Sequence, residues 1–566
     1  MIKRLFVFLI FSTSLISAQV DYSDSWEDFF SYNNVKDFIK SENIMYALSD
    51  NAIFTYDFTT QEINKLSSVQ GLSGETTSAI HYSTQSDRLV IGYKNGLVEV
   101  VDSDGSITIS ADILNFNQTG EKSINDIFEY QGKLYLATSF AIIEYDIDQL
   151  EFGDTFFIGN NSTDVKINEI VVFDDFIYAA TERGIYTADI NNANLIDFNN
   201  WNLISSVNNN YTNIIIFNSK IYTTLNKKLY EVTETNEIVL IEDYSSPIVS
   251  LKGSSTNLSV VLNSSVNIYS TNFDLVLQNN ADINFDYILN TAFAENNQLF
   301  LATKQFGILS SLISDDIIFQ EIHPEGPVSN DVFSVSAQSN ELWIVYGGFG
   351  PTYGPIQRKL GFTHFNGESW FTAMNDPLNS FPDLVDVALD PTDKNKVFIS
   401  GFGDTQSINT YNTGGLFEVQ NNEITNFYNN LNSPLADIVE NIANRVTIRV
   451  SGSVFDTQGN LWVANIGVSN ELKKFSNGSW TEFDISAGKP ENSFGLSDIV
   501  VDINNTVWIG TRDDGIIAFN ENGNRIRGLI NTPTQGSLPN RKVESIAVDK
   551  DNRIWIGTIS GLVVFS

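Results

Sequence analysis

Only three histidines occur in this chain of 566 residues, His81, His323 and His364, and they lie far apart. Hydrolytic chemistry needs a nucleophile with a base beside it. The sequence has neither a Gly-x-Ser-x-Gly elbow nor a zinc-binding His-Glu-x-x-His pair. With no cysteine anywhere, thiol nucleophiles, thiolate metal sites, disulfides and a lipobox anchor are excluded together. Asp456 and Gly459 precede Trp462 in a run close to the Asp box of propeller sialidases. An Asp box reads Asp-x-Gly-x-Thr-Trp, whereas this run is Asp-Thr-Gln-Gly-Asn-Leu-Trp, the spacing of a hairpin turn. Acidic turns at 101–106 and 549–553 place no bidentate glutamate at the position that closes a calcium loop. Asparagines in Asn-x-Ser/Thr triplets, such as Asn161 and Asn263, follow from an Asn-rich and Ser-rich composition. The expectation is a non-enzymatic protein with no catalytic residues, no metal and no cofactor.

Binding chemistry has one better candidate. Two segments begin alike, Gly348-Phe349-Gly350 and Gly401-Phe402-Gly403. The first continues through Pro351, Tyr353, Pro355, Arg358 and Lys359, and the second through Asn409, Tyr411 and Asn412. Rings that stack and cations that pair with acidic groups suit a sugar or protein ligand, provided a rigid scaffold presents them. Phe349, Tyr353, Arg358, Lys359, Phe402 and Tyr411 are the expected binding residues, exposed on adjacent loops.

The scaffold is legible as a repeat. TVWIGTRDDGI at 506–516 and RIWIGTISGL at 553–562 are its clearest copies, about 47 residues apart. Weaker copies begin at Arg88, Lys133, Phe176, Gln298 and Asn460, and fainter ones at Ile44, Lys220, Asn257, Glu341 and Lys396, twelve in all. Each unit alternates β-branched or aromatic runs with polar turns, without helical periodicity. A fourth strand, Trp followed by an aromatic three residues on, is visible at Trp480 and Phe483. Four antiparallel strands per 40 to 50 residues is the pattern of propeller blades, with a solenoid as the alternative. The fold expected is therefore all-β, two tandem β-propellers of four-stranded blades. The two long loops would leave one face of the second propeller, between the second and third strands of its first two blades.

The chain opens on Lys3 and Arg4, then an apolar run ending in Ser17 and Ala18. That is a secretory signal peptide, residues 1–18, with the mature protein starting at Gln19. No later apolar run is long enough to span a bilayer as a helix. A formal net charge of −37 repels nucleic-acid phosphates and anionic headgroups. Trp26 and Phe29 look like an orphan outer strand that would complete the seventh blade by pairing with the strand ending at Leu312. Residues 317–322 look like a second orphan. These place a seven-bladed propeller at 19–316 and a second, incomplete one of about five blades at 317–566, with the boundary itself near 313–328.

Two resemblances follow from these residues. The units from Ala443 onward resemble the two-component-regulator propeller repeat, with Asp502 to Ile516 and Asp549 to Leu562 carrying its Asp, Ile-Trp-Ile-Gly-Thr and Gly-Leu elements. WEDFFSYNNVKDF at 26–38 followed by SSVQGLSGETTSAIHY at 67–82 resembles the N-terminal propeller of the PorZ family. That resemblance implies a cell-surface component of the type IX secretion system with two seven-bladed propellers and a terminal sorting domain. It also implies an outer-membrane attachment complex with PorU-like sortase, PorV-like and PorQ-like partners, in which anionic lipopolysaccharide is presented for attachment to cargo. The regulator resemblance implies an alternative, the periplasmic ligand-sensing region of a hybrid two-component receptor. A propeller glycosidase or lyase is disfavoured by the missing motifs.

Overall fold

A computed structural model describes residues 26–205, 208–314, 316–338, 340–373, 383–404, 414–438, 446–491 and 494–566. The expected signal peptide and Tyr411 lie outside the described residues. The chain divides into two compact units, Met1–Pro324 and Glu325–Ser566. The expected all-β fold of four-stranded antiparallel blades is borne out. We number the blades 1 to 12 along the chain: 37–66, 77–110, 124–156, 167–203, 211–243, 248–280 and 289–322 in the first unit, then 334–373, 384–428, 450–483, 496–529 and 543–565 in the second. Blade 12 has three strands and the others have four.

Each blade follows one burial gradient. The second strand lies between neighbouring blades and is apolar on both faces, as in Lys133–Thr138, where every residue after the lysine is buried. The outermost strand meets water and carries charge, as in Ile238–Asp243, which is mostly exposed. A continuous apolar run therefore marks the second strand better than alternation does. In the last three blades an aspartate fixes the first hairpin and grips the tryptophan of the second strand. The Trp462 indole Nε1 donates to Asp456 Oδ2 (3.0 Å), Trp508 to Asp502 (3.1 Å) and Trp555 to Asp549 (2.9 Å). The other Asp456 oxygen accepts the Gln458 and Asn460 N–H groups, which makes this run a turn and not an Asp box.

The innermost strands of the first unit surround a channel of about 570 Å³. An acid on one innermost strand accepts an N–H from the next. Asp126 takes that of Ile170 (3.1 Å), Glu169 that of Ile214 (2.7 Å), and in the second unit Asp386 takes that of Ser453 (2.8 Å) and Asp498 that of Ile546 (2.7 Å). Burial in the channel pushes Asp126 up to about 6 and Glu169, which also faces Asp126, up to about 8.

Closure of the first unit differs from the expectation. Strand Ile308–Leu312 pairs with Gln320–Ile322, so blade 7 finds its fourth strand in the segment directly following, and the unit runs to Pro324 instead of 316. Trp26 is exposed and in no strand. Pairing through a short loop costs far less chain entropy than recruiting a strand from the distant N-terminus. Residues 28–36 instead seal blade 7 against blade 1. Tyr32 is buried against Phe54, Asp28 pairs with Lys65 at 2.5 Å, and the Val35 N–H donates to Thr303 O at 2.9 Å. In the second unit the outward sides of the end blades expose Val335 and Leu562.

Candidate functional site

The two Gly-Phe-Gly segments meet. Gly347 to Gly361 connects the second and third strands of blade 8, and Asp383, at the entrance to blade 9, shapes it. Asp383 Oδ1 accepts the N–H groups of Gly348 and Arg358 (both 3.1 Å), and Oδ2 accepts that of Gln357 (2.7 Å). Gly347 passes so close that a Cβ there would lie 2.3 Å from the Asp383 Cα. Tyr353 adopts a left-handed φ of 61° at the loop's tip, a conformation unfavourable for an aromatic residue and held by its surroundings.

Those surroundings turn the loop inward. The Phe349 ring lies 4.9 Å from Phe402 and 4.5 Å from Tyr353, and Phe333 adds a fourth ring 5.2 Å from Phe349. Arg449 of blade 10 sits over Phe402 (4.7 Å), donates Nε to Gly403 O (2.9 Å) and Nη1 to Tyr353 O (3.2 Å). Arg512 of blade 11 stacks on Tyr353 (4.4 Å) and donates to Pro351 O. A loop leaving blade 8 thus turns in over the centre of the second unit, where the innermost strands of its blades converge, and is held by two arginines from other blades.

This corrects the expected display of rings. Phe402 is fully buried and Tyr353 is 4 % exposed, because packing the rings against one another and against Arg449 removes apolar surface from water that display would leave exposed. Phe349 is half-buried, Arg358 is half-buried and bound to Asp331 (3.3 Å), and Lys359 is exposed. Sequence reasoning missed Arg449, Arg512 and Asp383: Arg449 and Asp383 stand at strand ends with no motif around them, and Arg512 lies in the turn of a repeat copy, where it reads as turn chemistry beside Asp513 and Asp514.

The histidines are structural ties. His81 bonds Glu129 of the next blade (2.9 Å), and His323 lies by Pro324 O (2.9 Å). His364 is stacked on Trp343 (3.9 Å) and bonded to Asn422 (2.7 Å) and Glu341 (3.2 Å). In the acidic turn at 101–106, Asp102 pairs with Arg88 (2.6 Å) and Asp104 accepts the Ser106 N–H (2.9 Å).

Beneath the loop lies a cavity of about 420 Å³, bounded by the innermost strands of the second unit and roofed by Phe349 and Tyr353. Asp386 and Asp498 line it, and burial raises both carboxyls, Asp386 up to about 7. Arg512 and Lys542 stand at its rim, where they flank the outer ends of their strands.

The resemblance to PorZ read from residues 26–82 is borne out in the first unit. Residues 45–202 match the family of the type IX secretion PorZ N-terminal β-propeller domain, and residues 537–560 match the two-component regulator propeller. Among solved structures, PorZ of Porphyromonas gingivalis, described as an essential bacterial surface component of the type IX secretion system, superposes with a TM-score of 0.78. It is 18% identical, over 95% of this chain and 72% of that one. The extracellular domain of a putative one-component system from B. thetaiotaomicron is 14% identical over 94% of this chain and 76% of its own, with a TM-score of 0.38. No curated protein matches the sequence. Among the described residues no helix is long and apolar enough to cross a membrane.

Proposed function

We propose that the protein is an exported, non-enzymatic interaction scaffold of the PorZ type, acting at the outer-membrane surface in type IX secretion. The observation that carries this reading is the likeness to PorZ along nearly the whole chain, joined to the family match at 45–202. On this reading its partners are a PorU-like sortase and PorV-like and PorQ-like proteins, and the molecule it presents is anionic lipopolysaccharide. With a net charge of −37, contact with that glycolipid falls on sugar hydroxyls or on local cations such as the exposed Lys359 rather than on the protein's general field. Residues 347–361 and 401–404 are a presentation surface through their outer edge, where Lys359 is exposed and Arg358 half-buried. The buried rings support that edge from within.

Affinity capture of the tagged, exported chain from outer membranes tests the reading. Recovery of a sortase-containing complex, and loss of cargo from the cell surface on gene deletion, are expected. Cargo attachment unchanged by deletion would refute it. The regulator-repeat match at 537–560 favours a second reading, ligand sensing, under which deletion changes transcription and leaves cargo attachment intact.

A further inference from the structure

A second cavity lies beside the blade 8 loop. It holds about 620 Å³ and is bounded by the connection at 466–471 between the second and third strands of blade 10, by that blade's outermost strand and by the link to blade 11. Phe494 lines it, and its ring lies 6.5 Å from the Tyr353 ring, so cavity and loop are neighbours. Phe494 keeps 48 % of its surface in water, while Gly467 passes so close that a Cβ there would lie 2.3 Å from the ring. A ring that stays exposed although packed on backbone offers apolar surface to a ligand at little ordering cost.

The polar lining is held by two buried lysines. Glu482, on the outermost strand, has a side chain 43 % exposed and accepts Lys473 Nζ at 2.6 Å, whereas the Lys473 side chain is 1 % exposed. Glu471 is buried with Lys489 (2.8 Å), and its other oxygen accepts the Gly467 N–H (3.1 Å). Asp484 is exposed and accepts the Ser486 N–H with one oxygen (2.8 Å). Carboxylates anchored in this way keep acceptor sites for a hydroxyl without having to be ordered first. The exposed Ser469 and Ser486 and the half-buried Asn470 add donors.

The charge balance selects the ligand. Four acids and two lysines stand among the described lining residues, so an anion is repelled. Both glutamates are already matched by lysines, and the two other acids, Asp437 and Asp484, each accept a backbone N–H, from Thr447 (2.9 Å) and Ser486. A cation therefore finds no carboxylate pair waiting for it. The lining offers many acceptors, a few donors and one aromatic face, and a pyranose matches all three. Its hydroxyls donate and accept, and its C–H face covers a ring. The volume is within the range of small-molecule sites.

We infer that this cavity binds a single neutral pyranose, whose hydroxyls donate to Glu482 and Asp484 and whose C–H face lies on Phe494. The inference stands on the second unit alone and does not depend on the secretion reading, whose failure would appear in cargo attachment and not in sugar binding.

Calorimetric titration of the full exported chain with the methyl pyranosides of glucose, galactose and mannose tests it. Saturable binding of at least one is expected. For the sugar that binds, the matching uronic acid should bind at least tenfold more weakly, because its carboxylate meets the acidic lining, and the matching 2-amino sugar should bind no more tightly. These ligand changes leave the protein untouched, so misfolding cannot imitate the result. Phe494→Ala and, separately, Asp484→Asn should each weaken binding about tenfold while the protein still melts cooperatively, since both side chains are exposed. No binding of any of the three pyranosides, a charged counterpart that binds more tightly than the neutral sugar, or full affinity in Phe494→Ala would each overturn the inference.

Discussion

Replacing Phe402 with alanine separates a buried ring from a displayed one. The ring is fully buried, packs against Phe349 at 4.9 Å and Tyr353 at 5.7 Å, and carries the Arg449 guanidinium at 4.7 Å. A buried Phe→Ala change costs about 3–5 kcal/mol, the lower end applying where neighbours collapse into the gap. Collapse is restricted here, since Asp383 and two arginines hold the loop's backbone. Loss of the cation–π contact adds about 1 kcal/mol. About 6 kcal/mol in a unit of this size corresponds to a fall in Tm of roughly 12–24 °C. Thermal unfolding should be followed by hydrogen exchange, comparing peptides from 384–428 and 450–483 with peptides from 37–66 as the internal reference. A fall confined to the second unit is expected. A change below about 1 kcal/mol would mean the ring is displayed after all, and the account of the loop as a roof would fail.

Other perturbations test the remaining links. Asp502→Ala strips the Trp508 indole and the first-hairpin N–H groups of their acceptor and should cost about 1–3 kcal/mol in chemical denaturation, whereas Asp502→Asn should recover part of it. Asp386, pushed up to about 7 by burial, binds its proton more tightly folded than unfolded. It therefore favours folding below its unfolded pKa near 4, and that contribution is lost as pH rises through about 7. Asp386→Asn should flatten this fall between pH 4 and 7 in stability-against-pH curves, and an unchanged slope would assign it to other groups. Tyr32→Ala should lower the melting of the first unit by about 3 kcal/mol's worth and expose the blade 7–blade 1 seam to proteolysis; an intact seam would show that residues 28–36 are dispensable for closure.

The blades were legible in sequence because their signal is periodic and local: an apolar second strand, an aspartate six residues before a tryptophan, a polar turn. The inward loop was not. Phe402 between glycines is equally compatible with a ring turned to solvent or to the axis, and the deciding partners, Arg449 and Arg512, come from other blades. The closure reading failed for a related reason. Trp26 carries the aromatic pattern of an outer strand, but Gln320–Ile322, part of the segment that reads as a second orphan strand, is nearer in the chain and takes the place. The acids of the innermost strands do share a local pattern, an aliphatic residue two before and one after each of Asp126, Glu169, Asp386 and Asp498, but a single acid in an apolar strand reads equally well as a solvent-facing position until the strands are placed around an axis.

Those acids have a consequence for how such a chain can change over generations. Blade 4 offers a carboxylate forward, Glu169, and a backbone N–H back, that of Ile170, and the N–H exists whatever the side chain. A blade of this kind copied whole brings both halves of the connection with it. In an array whose members touch only their neighbours, gene duplication or loss can therefore lengthen or shorten the series one blade at a time, without a matching substitution in the blades already there.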